Sequence, residues 1–105
     1  MSQQHGLSSE HLSELLRIFR SYPELEKVIL YGSRATGKYH ERSDIDLVTI
    51  GIKDRHRLGA LLLDLENSNL PYTCDLQAYE TLKYFPLKHH IDAYGTIIYN
   101  KADSK

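Results

Sequence analysis

The sequence predicts an α/β (α+β) chain: a small mixed β-sheet of three or four strands flanked by helices. Three observations predict it. Two short runs, "KVILYG" at 27–32 and "IDLVTIG" at 45–51, are apolar, rich in β-branched residues and end on glycine, as buried strands do. Two longer stretches repeat leucines at helical spacing. The two kinds of segment alternate along the chain, which is the order of a layered α/β fold.

The first helix is expected over 8–21, because Leu12, Leu15, Leu16 and Phe19 recur on one helix face. Ser8 supplies an N-cap oxygen, Leu7 and Leu12 are spaced as a hydrophobic staple, and Pro23 closes the segment. The strand at 27–32 follows, then a loop or short helix, then the strand at 45–51. In that strand Ile45, Leu47 and Thr49 share one face, and Asp44, Asp46 and Val48 share the other. A second helix is expected over 55–67, where Leu58, Leu61, Leu62 and Leu65 repeat at i, i+3, i+4 and i+7 and Leu63 falls off the stripe. "NSNLP" is a turn, and the alternating "YTCDLQAY" at 72–79 is a third strand. Pro86 suits the first position of a last helix that ends before Gly95, and "TIIY" after it reads as a short edge strand.

At 105 residues the chain is expected to be one domain, 1–105, with room for one modest core but not for a separate acceptor-binding domain. Hydrophobic residues at 41% and charged residues at 26% are ordinary for a folded chain. A net charge of -1 gives no broad basic face, so strong nucleic-acid binding is not expected and any phosphate must be held locally. Cys74 is the only cysteine, which excludes an intramolecular disulfide and a cysteine-built zinc site; it reads as a small buried hydrophobe. "MSQQHGLSSEH" has neither the basic start nor the apolar run of a signal peptide, and no apolar stretch reaches bilayer length. No membrane association is expected, and the expected compartment is the cytoplasm.

Two phosphate-handling patterns overlap in "LYGSRATGKYHERSDIDLVTI". A P-loop needs a strand, G-x-x-x-x-G-K-[ST] and a helix that opens on the phosphates, with the last hydroxyl on magnesium. Gly32, Gly37 and Lys38 fit, but Tyr39 stands where that hydroxyl belongs, and "YHERSD" leaves no room for the helix before the next strand. The other pattern is Gly32-Ser33, ten residues, then Asp44-Ile45-Asp46-Leu47. On a strand, residues i and i+2 project from one face with Cα atoms about 6.5 Å apart, so Asp44 and Asp46 stand together. Paired carboxylates repel unless a cation lies between them, and their hard oxygens suit Mg2+ or Mn2+. Gly32 lets a ligand approach the backbone, and Ser33 offers an amide and a hydroxyl. Arg34, Lys38 and Arg42 flank the turn and are expected to neutralise the remaining anionic charge.

Asp75 lies between Cys74 and Leu76 in the third strand. Buried there, an acid costs several kcal/mol unless partnered, and a metal would be the partner. Facing water on an edge strand, it would need none.

"GSRATGKYHERSDIDL" with the later "CDL" resembles the signature of the DNA polymerase β-like nucleotidyltransferases, and its short loop is most similar to the minimal nucleotidyltransferases (MNT family). The resemblance runs from the first helix to "GTIIY" and implies the nucleotidyltransferase fold. It implies that Asp44 and Asp46 bind two divalent ions, Mg2+ or Mn2+, and that Asp75 helps hold the one that activates an attacking hydroxyl. It also implies that Gly32 and Ser33 bind a nucleoside triphosphate, ATP, whose AMP passes to the acceptor as pyrophosphate leaves. Family members of this size resemble half of a two-gene pair with a helical HEPN protein, in some cases as the antitoxin that adenylylates a HEPN toxin. The acceptor is then a hydroxyl of that partner, and a homo- or hetero-oligomer is implied. Two alternatives stay open: a non-catalytic module that neutralises a HEPN partner by contact, and a nucleotidyltransferase acting on a small molecule.

The remaining residues carry modest expectations. His89 and His90, adjacent on a helix, point about 100° apart and read as surface residues. His40 reads as a solvated loop residue. Tyr79, Tyr84 and Tyr94 suit a core or an interface, and Leu63, Phe85 and Leu87 an exposed partner patch.

Overall fold

In the computed structural model, which describes residues 6–40 and 43–103, the chain forms a four-stranded mixed sheet flanked by helices. The elements in chain order are α1 (Ser9–Arg20), β1 (Lys27–Tyr31), the one-turn α2 (Ser33–Thr36), β2 (Ile45–Ile50), α3 (Arg55–Glu66), β3 (Cys74–Ala78), α4 (Phe85–Tyr94) and β4 (Thr96–Asn100). Short 3-10 turns follow β3 at Tyr79–Thr81 and β4 at Lys101–Asp103. The strand order is β3-β2-β1-β4, with β1 antiparallel to both neighbours and β2 parallel to β3. That parallel pair requires a crossover, which α3 supplies.

The sheet is covered unequally. Val28 and Leu30 of β1, Ile45 and Leu47 of β2 and Cys74 of β3 face α1 and α3, where they meet Leu15, Ile18, Phe19, Leu61 and Leu65 in one buried cluster. Strand alternation turns Tyr31 and Val48 to the opposite face. There they bury only against Ile91 of α4, with Ile29 and Leu87 packed at the margin. A ten-residue helix cannot cover four strands, so part of this second face stays open. Asp46 and Asp75 belong to it.

The local sequence accounts for the element ends. Ser8 caps α1 by accepting from the His11 amide at 3.1 Å, and His11 Nδ1 accepts from the Ser8 amide in return at 3.4 Å. This is a capping box with histidine in place of the usual Glu or Gln. Leu63 is exposed, as its place off the α3 stripe requires. Three expectations shift. The third strand is Cys74–Ala78 rather than 72–79, because Tyr79 opens the 3-10 turn. Pro86 is the second residue of its helix rather than the first. Leu87 packs into the Tyr31, Val48 and Ile91 cluster rather than joining an exposed patch, whereas Phe85 is indeed exposed. No helix among the described residues is long and apolar enough to cross a membrane.

Candidate functional site

The open end of the α4 face is built by the turn from β1 into α2. Gly32 sits at φ +79°, ψ -152°, a conformation open to glycine, and a Cβ placed there would collide with Asp46 Oδ2. Glycine is therefore required twice, for its dihedrals and for the carboxylate pressed against its backbone. Gly32 O accepts from the Ala35 and Thr36 amides at 3.1 and 3.2 Å, and Gly37 closes the helical turn at φ +82°. The first amides of a helix have no partner within it, so the Ser33 N–H is not consumed by α2. The P-loop geometry is absent: the helical turn precedes Lys38, and no helix follows it among the described residues before β2.

Sheet register gathers the carboxylates. Asp46 is the Cα partner of Tyr31 on one side and of Asp75 on the other, so these three residues lie in one row across β1, β2 and β3. Neighbouring strands are about 4.8 Å apart, and Asp44 lies just ahead of β2, near enough for its charge to act on Asp46. Asp46 is half-buried, while Asp44 and Asp75 are exposed. Burial, then the charges of Asp75 and Asp44, push the Asp46 carboxyl above its ordinary value. The Tyr31 phenol is pushed up to about 12 by burial and by Asp75 and Asp46, so it stays neutral beside them. Cys74, on the opposite face, is buried with its thiol pushed up to about 11, which fits the expected inert hydrophobe.

The donor set fits a hard divalent cation. It offers two aspartates on adjacent strands in register, a third two residues away, and a charge conflict that such a cation relieves. The three do not form a finished cage: among the described residues, no three acidic, His or Cys side chains already converge on one point. Of the two placements expected for Asp75, the structure shows the second: it is exposed on an edge strand and needs no partner to offset burial. Its relevance comes instead from its register with Asp46.

The expected cationic contacts separate. Arg34 is 1% exposed, and its Nε and Nη2 both donate to Ser43 O, at 3.1 and 2.9 Å. Its guanidinium lies 4.4 Å from the Tyr72 ring centroid and 5.3 Å from that of Tyr39. Arg34 thus clamps the base of the loop leading to Asp44 instead of facing a ligand, which corrects the expectation that it contacts phosphate. Lys38 is exposed on that loop, and Arg42 lies outside the described residues. His40 is exposed, its amide donating to Ser43 Oγ at 2.8 Å.

His90 is the residue that the sequence reading missed. His89 is exposed as expected, but His90 is half-buried, and its Nε2 accepts from the Gly32 amide at 3.3 Å. Its ring also stands edge-on to Tyr31 and tilted against Tyr94. The two partners are 58 residues apart, so the contact follows from α4 packing on β1, which no local pattern announces.

Comparison with known proteins agrees with this fold. The family model described as "Polymerase beta, Nucleotidyltransferase" matches residues 13–104. A chain of a toxin–antitoxin complex with AMP-PNP superimposes with a TM-score of 0.71 at 22% identity, over 85% of this chain and 73% of that one. A chain from a MntA-HepT toxin–antitoxin structure gives 0.66 at 17% identity, over 92% and 76%. A chain from the tri-AMPylated HEPN toxin of Shewanella oneidensis in complex with MNT antitoxin gives 0.64 at 18%, over 89% and 73%. At such identities the likeness establishes a shared fold. No curated protein matches the chain significantly.

Proposed function

The chain belongs to the polymerase beta nucleotidyltransferase family, and from that premise we propose that it transfers AMP from ATP to a hydroxyl of a helical HEPN partner. The observation that carries this reading is the in-register pair Asp46 and Asp75, with Asp46 Oδ2 pressed against Gly32 at the head of α2. Carboxylates that would hold divalent cations and a turn that would hold phosphate are thereby joined in one site.

Asp44, Asp46 and Asp75 are the residues that would hold Mg2+ or Mn2+. When bound, such ions neutralise phosphate charge and favour ionisation of an attacking hydroxyl. Gly32 lets the triphosphate approach the backbone, and Ser33 donates to its oxygens through amide and hydroxyl. Lys38, exposed on the adjoining loop, adds positive charge, as does Arg42 by its position in the sequence. Asp75, exposed at the sheet edge, is open to an incoming acceptor. A bond forms between the acceptor oxygen and the α-phosphorus, the bond to the bridging oxygen breaks, and pyrophosphate leaves. The proton of the hydroxyl passes to solvent by way of the exposed Asp75 carboxylate.

Partner choice is supported by two of the similar structures, a MntA-HepT toxin–antitoxin and a tri-AMPylated HEPN toxin in complex with MNT antitoxin. It is also supported by exposed aromatic side chains at the start of α4, Tyr84 at 67% and Phe85 at 73%. The pair would work in the cytoplasm, this domain as the antitoxin. The test is co-expression with the helical protein encoded beside it, followed by intact-mass measurement of that protein. One or more added nucleoside monophosphates, absent with Asp46→Asn, support transfer; stable association without any added mass would instead favour neutralisation by contact.

A further inference from the structure

We propose that His90 is a positioning residue for nucleotide binding: its Nε2 fixes the peptide that leads into the Gly32-Ser33 turn. The inference rests on the reading of that turn as the triphosphate site. An amide donor requires an acceptor, and in this contact the ring nitrogen Nε2 of His90 is that acceptor. The ring is held on two further sides, its centroid 6.5 Å from that of Tyr31 at 76° and 5.4 Å from that of Tyr94 at 44°. Ile91, the next residue, is buried against Tyr31 and Val48, which anchors this part of α4 to the sheet.

The bond matters because of what Gly32 must do. At φ +79° and ψ -152° its flanking peptides lack the restraint that a side chain would give, and the Ser33 N–H belongs to the second of them. α2 is a single turn and offers little rigidity of its own. His90 supplies an anchor from outside, holding the Tyr31-Gly32 peptide in one orientation so that the next amide meets the phosphates already aligned. Without that acceptor the turn is held only through Gly32 O, which accepts from the Ala35 and Thr36 amides, and the Gly32 N–H loses its side-chain anchor, so more of the alignment must be completed on binding.

Two variants divide the roles of the ring. His90→Phe keeps an aromatic ring between Tyr31 and Tyr94 but has no acceptor. His90→Gln gives up the ring but carries an amide oxygen that reaches the same amide. We expect His90→Phe to weaken AMP-PNP binding roughly three- to tenfold in the presence of magnesium, as loss of one net hydrogen bond does. The KM for ATP should rise in proportion with kcat little changed, and His90→Gln should recover most of the loss. The unliganded melting points of both variants, compared with wild type, separate this from a folding defect. If His90→Phe bound AMP-PNP as wild type does, or if a folded His90→Gln bound as weakly as His90→Phe, the positioning role would be overturned. A wild-type chain that did not bind AMP-PNP would overturn the nucleotide reading beneath it, which is a different failure.

Discussion

Replacing Arg34 with methionine should unfold the protein at a markedly lower temperature while leaving nucleotide affinity nearly intact wherever the chain is folded. The long apolar stem is kept, so the change removes the guanidinium and little packing volume. Two donors to Ser43 O disappear, and a carbonyl they had satisfied is stranded beside a buried side chain, at about 1–3 kcal/mol. Stacking on Tyr72 and Tyr39 is lost as well, at about 0.5–1 kcal/mol per ring, and more where desolvated. Relief of burying a cation offsets part of this. A net loss of roughly 3 kcal/mol corresponds to a fall of roughly 10–20 °C in a chain of this size. The assay is thermal unfolding followed by circular dichroism, with AMP-PNP titration at a temperature where the variant is still folded. A melting point within about 2 °C of wild type, with tenfold weaker AMP-PNP binding, is what a phosphate-contacting arginine on a free loop would give. That result would refute the clamp.

Asp46→Asn should abolish transfer yet leave metal-free stability unchanged or higher, because it removes a carboxyl held above its ordinary value by burial and by Asp75 and Asp44. Because its folded pKa is raised, Asp46 favours the metal-free fold at low pH, and this contribution is lost as pH rises through the folded value. Metal-free melting curves of wild type and variant should therefore converge on acidification and separate, variant higher, toward neutral pH; the opposite order would count against the charge conflict. Asp75→Asn should retain AMP-PNP binding and lose turnover, and full turnover would remove Asp75 from the site. Ser33→Ala deletes a hydroxyl but keeps the amide, so kcat/KM should fall by about 1–3 kcal/mol in transition-state terms; unchanged kinetics would exclude its side chain.

What could be read from the sequence was local or periodic. The strand at Ile45–Ile50 announced its two faces by alternation, which put Asp46 on the face opposite Ile45 and Leu47, whereas Asp44, expected on the same strand, lies just before it. Asp75 drew notice as an acid among apolar neighbours, with a buried and an edge-strand placement both open. Those neighbours face α1 and α3 while Asp75 itself turns outward at the edge, and only strand pairing sets it beside Asp46. Arg34 was misread because its neighbours in sequence are the turn residues, whereas Tyr72, which stacks on it, is 38 positions away. His90 shows the same limit more strongly, since the partner of its ring nitrogen is a backbone amide with no residue-type signature. Side chains whose roles depend on contacts across the fold were the ones that composition and spacing could not place.

The most direct measurement follows which phosphate moves. With the HEPN partner as acceptor and magnesium present, ATP labelled at the α-position should leave its label on the partner as a nucleoside monophosphate, and γ-label should depart as pyrophosphate. Lys38→Ala should slow this transfer without ending it, and Asp75→Asn should end it. A P-loop enzyme would break the bond beyond the β-phosphorus. If γ-label were transferred or released as inorganic phosphate, with Lys38→Ala inactive and Asp75→Asn active, the assignment of Asp44, Asp46 and Asp75 to nucleotidyl transfer would be contradicted.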